Sequence, residues 1–356
     1  MSSGSDASSC YEECLAQRYA FIRKVGAGTY GTTWVALDKM SRTKVAVKAV
    51  HKTSTRRETF KKELKYSRML SGHRHIVTTR KDAFETENAF VLIQDFASGG
   101  DLFDAIGPEV GLPEHKAKRY VSQIVSALEH AHARELVHRD IKPENLVLED
   151  STGDNLLLID FGMTRRVGTY IERVCGSIPY TPPEICEATD GYQCNTSADV
   201  WSVGVLLYCM LTGSFPWEQA TESDPNYAEF ARWQREPEAY PVPTLWRQFS
   251  PMLLELFGKL LDADPTTRCR ATDVNSYLKY DWFATTPKAK ATTRHVELSE
   301  SSVDALCSLI RPEEFAELAT YHHKAAARHE LYTTQYIASA AATARGTSAV
   351  LPVSAC

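Results

Sequence analysis

Hydrophobic and polar positions divide the chain into two unlike regions. Between residues 19 and 97 the apolar residues fall into short β-rich runs, at Tyr19–Val25, Thr32–Leu37, Lys44–Val50 and Ala89–Phe96. One helical stretch, Arg57–Leu70, interrupts them, which predicts a small sheet carrying one helix. From about Leu102 to Phe283 helical patterns dominate, with helices predicted at Lys116–Ala133, Ala198–Thr212 and Pro251–Leu261. The change falls at Ser98-Gly99-Gly100, where flexible residues read as a hinge between two lobes. The predicted class is α+β, with a small lobe at 19–97 and a larger helical one at 98–283. Residues 1–18 are Ser-rich and acidic and are expected to be disordered. The Ala/Thr-rich tail, 284–356, is expected to be partly helical at Val303–Leu331 and low in complexity from Ser339 to Cys356.

Composition narrows the classes further. A chain of 356 residues is long enough for one large two-lobed domain plus tails. A net charge of −5 gives no bulk electrostatic case for nucleic acid or an anionic membrane as partner. The longest apolar stretch, near Val203–Leu211, is about nine residues and far too short to span a bilayer. Met1-Ser2-Ser3-Gly4 shows no signal-peptide pattern, and Ser2 excludes the usual myristoylation signal. Nine cysteines without CxxC pairs indicate neither a zinc site nor a disulfide framework. Asn195-Thr196-Ser197 matches a glycosylation acceptor, but without a signal peptide no glycan is expected. The expectation is a reduced, cytoplasmic monomer.

The candidate chemistry lies in separated segments whose order matters. Gly26-Ala27-Gly28-Thr29-Tyr30-Gly31 would let backbone N–H groups close over phosphates. Those glycines also fit a dinucleotide turn, which needs a helix next; here a second strand follows. Lys48, in the apolar run after Val45-Ala46-Val47, could be no more than an edge-strand charge. A phosphate-clamping role needs a carboxylate on the next helix, and Glu63 is favoured over Glu58. His138-Arg139-Asp140-Ile141-Lys142-Pro143-Glu144-Asn145 then gathers several chemical groups in one short loop. Asp140 would accept or orient the proton of an attacking hydroxyl, and Lys142 would neutralise charge on a transferring phosphate. Asn145 and Asp160, the latter in Asp160-Phe161-Gly162 after Leu156-Leu157-Leu158-Ile159, are hard oxygen ligands suited to magnesium. Each residue alone could be a surface polar group. Jointly they read as transfer of a phosphoryl group from ATP. Lys142 followed by Pro-Glu-Asn is the serine/threonine version of such a loop.

At this point the chain resembles the eukaryotic protein kinases over about residues 19–283. Within them it is similar to the Src-homology-3-domain-binding kinase family. That likeness rests on Gly99-Gly100-Asp101-Leu102-Phe103-Asp104, Asp160-Phe161-Gly162-Met163-Thr164-Arg165-Arg166-Val167-Gly168, Ile178-Pro179-Tyr180-Thr181, Gly213-Ser214-Phe215-Pro216-Trp217 and Glu229-Phe230-Ala231-Arg232-Trp233-Gln234. The resemblance implies a bilobal kinase fold and serine/threonine kinase activity with ATP and Mg²⁺. It implies a nucleotide site of Val25, Gly26, Gly28, Gly31, Thr33, Ala46, Lys48, Glu63, Gln94, Asp95, Ala97, Asp101 and Leu146. An activation segment would involve Arg139, Ser177 and Glu184, with Glu184 paired to Arg268 and Asp199 bracing the catalytic loop. The partners implied are protein substrates; Asp101 and Glu144 would favour an arginine upstream of the acceptor. The family name implies proline-rich docking segments, but the tail has no PxxP, and Pro179–Pro182 lies in the activation segment.

Several positions depart from the kinase pattern. Thr33 replaces an apolar residue over the adenine, and Gln94 would be a polar gatekeeper. Ser67 and Thr79 fall where apolar side chains usually stack with Phe161 and His138, which leaves a non-catalytic pseudokinase scaffold as the alternative. Arg173 occupies the place where many kinases carry an activating phosphate. Glu172 is expected to supply the anion for Arg139 instead, with Thr169 and Tyr170 as alternative phosphate carriers.

Overall fold

The computed structural model describes residues 16–28, 31–172 and 178–284. The expectations for the first fifteen residues, for Arg173 and Ser177, and for the tail beyond Ala284 lie outside these, whereas Arg18, within the segment 1–18 expected to be disordered, bonds Asp82 at 2.7 Å. The small lobe is one antiparallel sheet of β1 (Tyr19–Gly28), β2 (Gly31–Asp38), β3 (Lys44–His51), β4 (Thr79–Glu85) and β5 (Ala89–Asp95), in the order β1-β2-β3-β5-β4. Helix α1 (Arg57–Leu70) connects β3 to β4. Alternation along β3 assigns its faces. Val45, Val47 and Ala49 are buried with Tyr19, Ala36, Val91 and Ile93, while Ala46 and Lys48 are only partly buried on the other side. Helix α1 buries Phe60, Glu63, Ser67 and Leu70, at the spacing of one helical face. Phe60 stacks on Phe90 of β5 at 5.0 Å.

Strand β4 is not among the predicted runs. Its sequence, Thr-Arg-Lys-Asp-Ala-Phe-Glu, buries only Thr79, because it forms the edge of the sheet. Arg80 anchors this edge. It bonds Asp95 at 2.9 Å and the nearly fully buried Asp38 at 3.1 Å.

The larger lobe contains α2 (Leu102–Ala105), α3 (Glu114–His132), α4 (Pro183–Cys186), α5 (Ser197–Thr212), α6 (Pro225–Arg235) and α7 (Pro251–Leu260). The three predicted helices appear within two residues of their expected ends. Helix α5 is buried from Ser197 to Leu211 and forms the centre of the lobe. Helix α6 was not among the predicted helices, although Asp224 caps it by accepting the Asn226 and Tyr227 N–H groups, with Pro225 at its first position. Short strand pairs shape the loops between these helices: β6 (Leu136–Val137) with β9 (Arg165–Arg166), β7 (Leu146–Leu148) with β8 (Leu156–Leu158), and β10 (Tyr170–Ile171) with β11 (Tyr192–Gln193). No helix of the described residues is long and apolar enough to cross a membrane.

Candidate active site

The β7–β8 ladder sets the spacing of the catalytic groups. Leu146 pairs with Leu158, and the Ile159 N–H donates to the Asn145 carbonyl at 3.0 Å. Asn145 and Asp160 therefore flank the same open end of the hairpin. Asn145 Nδ2 donates to the Asp140 carbonyl at 2.8 Å and to Asp140 Oδ2 at 2.7 Å. With its nitrogen so engaged, its amide oxygen is left for another donor or a cation. Lys142 Nζ lies 3.1 Å from Asp140 Oδ2.

Lys48 joins the lobes. Its Nζ lies 2.8 Å from Glu63 Oε1 and 2.9 Å from Asp160 Oδ1. Glu63, not Glu58, is the buried partner on α1. Burial opposes the Lys48 charge, but Asp160 and Glu63 outweigh it and raise its pKa. Burial likewise pushes Asp160 up, yet the Lys48 charge and the Gly162 N–H bring it down to about 2. Asp160 is thus held ionised, with left-handed backbone at φ 59°.

Asp199 at the start of α5 supports the loop from below. Its Oδ2 accepts the His138 N–H at 2.9 Å, and its Oδ1 accepts the Arg139 N–H at 2.8 Å. His132 Nε2 lies 2.8 Å from the same carboxylate. Burial works against the Asp199 charge, but the His132 bond and charge keep its pKa low. Arg139 adopts φ 72°, so these bonds fix an otherwise unfavourable backbone.

The expected nucleotide residues gather along the cleft face of the sheet and at the hinge. Thr33 faces Lys48 across β2–β3, and Ala46 faces Gln94 across β3–β5. Gly26 pairs with Thr33, and Gly28 with Gly31; Val25 lies at the β1 bulge and is exposed. Gly31 is obligatory, since a Cβ there would collide with the Ala49 carbonyl. At the hinge, the Leu148 N–H donates to the Gly100 carbonyl at 2.8 Å, and Asp101 bridges to Val147, which brings Asp101 beside Leu146. Asp101 caps α2 through the Asp104 N–H. Burial raises its pKa; the Asp104 N–H opposes that rise, while the charges of Asp104 and Glu144 add to it. Asp95 offers the cleft no carboxylate, because that group is committed to Arg80. Ala97, partly buried, has no backbone hydrogen-bond partner among the described residues.

Of the two polar stack positions, Thr79 has its hydroxyl hydrogen-bonded. Gln94 Nε2 donates to Thr79 Oγ1 at 3.1 Å, and the Thr79 N–H donates to Ser71 Oγ at 2.8 Å. Ser71 Oγ in turn donates to the Ser67 carbonyl at 2.8 Å. Phe161 is buried and meets His138 edge-on at 5.2 Å. Thr79→Val keeps the shape but orphans the buried Gln94 amide, so it should cost about 1–3 kcal/mol. Adding Gln94→Leu should recover most of that loss in chemical denaturation; additive losses would refute the pairing.

Two expectations need correction or completion. Glu172 is exposed and is not among the partners of the Arg139 guanidinium. Arg139 instead donates Nη1 to the Met163 carbonyl at 2.9 Å and Nη2 to the Tyr192 hydroxyl at 2.7 Å. Glu172 stands just beyond β10, and the β10–β11 pairing brings Tyr192 rather than Glu172 to the guanidinium. Tyr192 and His132 are the residues that sequence reasoning missed. Glu184 meets Arg268 as expected, in a two-bond fork with both distances 2.9 Å.

The sequence that builds this site has known relatives. Residues 19–283 match the protein kinase domain family. Serine/threonine-protein kinase SBK1 of Danio rerio is 46% identical over 266 residues, covering 74% of this chain and 69% of that protein. SBK1 of Mus musculus is 44% identical over 269 residues, covering 75% and 64%. Serine/threonine-protein kinase SBK2 of Mus musculus is 36% identical over 272 residues, covering 75% of each. The chain therefore belongs to the eukaryotic protein kinase family, on its serine/threonine side and similar to the SBK kinases.

Proposed function

We propose that the protein is an active serine/threonine kinase, whose kinase domain spans 19–283 and which transfers the ATP γ-phosphate to protein hydroxyls with Mg²⁺. The observation that carries this reading is the assembled pair of contacts from Lys48 to Glu63 and Asp160. A positive amine held between the lobes is placed to receive phosphate oxygens. Asp140, fixed by Asn145 and near Lys142, is placed to orient the acceptor hydroxyl and take up its proton. The donor set of Asn145 and Asp160 fits magnesium, which takes few protein oxygens and completes its shell with phosphate and water. Magnesium would neutralise the charge on the transferring group. Gly26, Gly28 and Gly31 would cover the phosphates, and Thr33, Ala46, Gln94, Leu146 and the Ala97 backbone would enclose the adenine. The pseudokinase alternative rested on Ser67 and Thr79, and against it the Thr79 hydroxyl has a partner in Gln94.

The test is transfer of labelled γ-phosphate by the purified chain to a peptide library, with Asp140→Asn as control. Transfer only with the wild type and magnesium supports the reading; none with the wild type refutes it. The same library tests acceptor preference. Asp101 and Glu144 lie close enough for the Glu144 charge to add to the rise that burial causes in the Asp101 pKa. A guanidinium would relieve that repulsion through charge-assisted bonds. Peptides with Arg or Lys on the N-terminal side of the acceptor should be enriched; a flat profile there would remove the preference.

A further inference from the structure

Arg139, the residue before Asp140, is held by neutral partners. Its guanidinium bonds the Tyr192 hydroxyl and the Met163 carbonyl and lies over the Tyr192 ring, 5.8 Å from its centre. Met163 follows closely on Asp160, so this one side chain ties the Asp140 loop to the Asp160 segment and to β11. The position of β11 is itself firmly set. Ile171 pairs with Tyr192 and Tyr170 with Gln193. The Gly168 N–H donates to the Cys194 carbonyl at 2.8 Å, and the Cys194 N–H to the Thr169 carbonyl at 2.9 Å. Tyr170 donates its hydroxyl proton to the Asp190 carbonyl at 2.6 Å. Gly191, at φ 117°, makes the turn into Tyr192, where a Cβ would strike the Ile171 carbonyl. A cavity of about 30 Å³ borders Arg139, Asp140, Tyr180, Thr181 and Tyr192, so the contact lies directly against the catalytic loop.

We propose that Tyr192 is a positioning residue: its hydroxyl, acting through Arg139, holds the Asp140 loop in working register without an anion bonded to that guanidinium. The proposal rests on the kinase reading of Asp140. A phenol oxygen can accept from a guanidinium as a carboxylate or phosphate does, without needing a charge of its own. The stacked ring adds a cation–π contact, so the clamp has a polar and an apolar part. Tyr192→Phe removes only the polar part.

The full chain is compared as wild type, Tyr192→Phe, Arg139→Ala and the double variant. Two readouts are taken: peptide phosphorylation, and amide hydrogen exchange over residues 138–142. Tyr192→Phe should lower kcat about tenfold, the size of one bond to a charged group, with KM for ATP unchanged. Exchange over 138–142 should quicken by about the same factor. In the Arg139→Ala background the second change should add no further loss, because its effect passes through that guanidinium. If Arg139→Ala fails to fold, Arg139→Lys replaces it, since an ammonium cannot make both bonds in the same geometry. Unchanged exchange in Tyr192→Phe, or an equal loss on top of the Arg139 variant, would overturn the proposal. A wild type without transfer would defeat the kinase reading alone, and the exchange comparison would still decide the clamp.

Discussion

Asp160→Ala should reduce phosphate transfer on the order of a thousandfold or more, the usual scale when a charge-stabilising group is removed from such a site. The carboxylate has several roles at once. It holds the Lys48 amine at 2.9 Å and accepts the Gly162 N–H at 3.1 Å. Its remaining oxygen capacity faces the end of the hairpin shared with Asn145. Losing it leaves Lys48 to Glu63 alone, which draws the amine toward α1. The backbone at φ 59° complicates the alanine variant, since alanine tolerates that region less well than aspartate or asparagine. Asp160→Asn is therefore the decisive companion. It keeps the left-handed backbone and the shape, but loses the charge. Both variants should be nearly inactive at saturating ATP and magnesium, while Asp160→Asn unfolds near the wild-type temperature. Near-normal turnover by either variant would end the kinase reading. Lys48→Met and Asp140→Asn should lose activity on the same scale.

Local chemistry explains how much of this was legible beforehand. The central helix α5 is largely apolar and the cleft strand β3 alternates apolar with other positions, so both were legible from their patterns. Lys48, Asp140, Asn145 and Asp160 were legible because each sits in a short motif, and Glu63 because the lysine needs a carboxylate on the next helix. The β4 edge was not among the predicted runs, since an edge strand needs few apolar residues. Tyr192 was hidden for another reason. Its partner Arg139 is 53 residues away, and only the β10–β11 register brings them together. Glu172 was the natural choice by charge, but pairing geometry overrides charge when the backbone points the wrong way. Asp95 shows the reverse limit: its place at the hinge was expected, while its carboxylate turns outward to Arg80.

Arg268→Ala should cause the largest loss of stability among these variants. The Arg268 side chain is wholly buried and spends its donors on Glu184, the Ser197 carbonyl at 2.9 Å and the Asp262 carbonyl at 2.8 Å. It also lies over Trp201 at 5.0 Å, so its plane packs against the centre of α5. Truncation strands those acceptors and opens a hole beside Trp201. Breaking a buried pair by removing one partner costs about 3–5 kcal/mol. For a domain of this size that lowers Tm by on the order of 10 °C. The partners do not respond alike. Glu184 keeps some contact with water, so without Arg268 it can be solvated, whereas Arg268 without Glu184 is a buried charge missing its counterion. Glu184→Ala alone should therefore be costly as well. Once Arg268 is gone, however, losing Glu184 should matter little. Thermal unfolding of both single variants and the double variant measures this. A double variant close to Arg268→Ala is expected; a double variant at the sum of the two losses would mean that the fork contributes nothing as a pair.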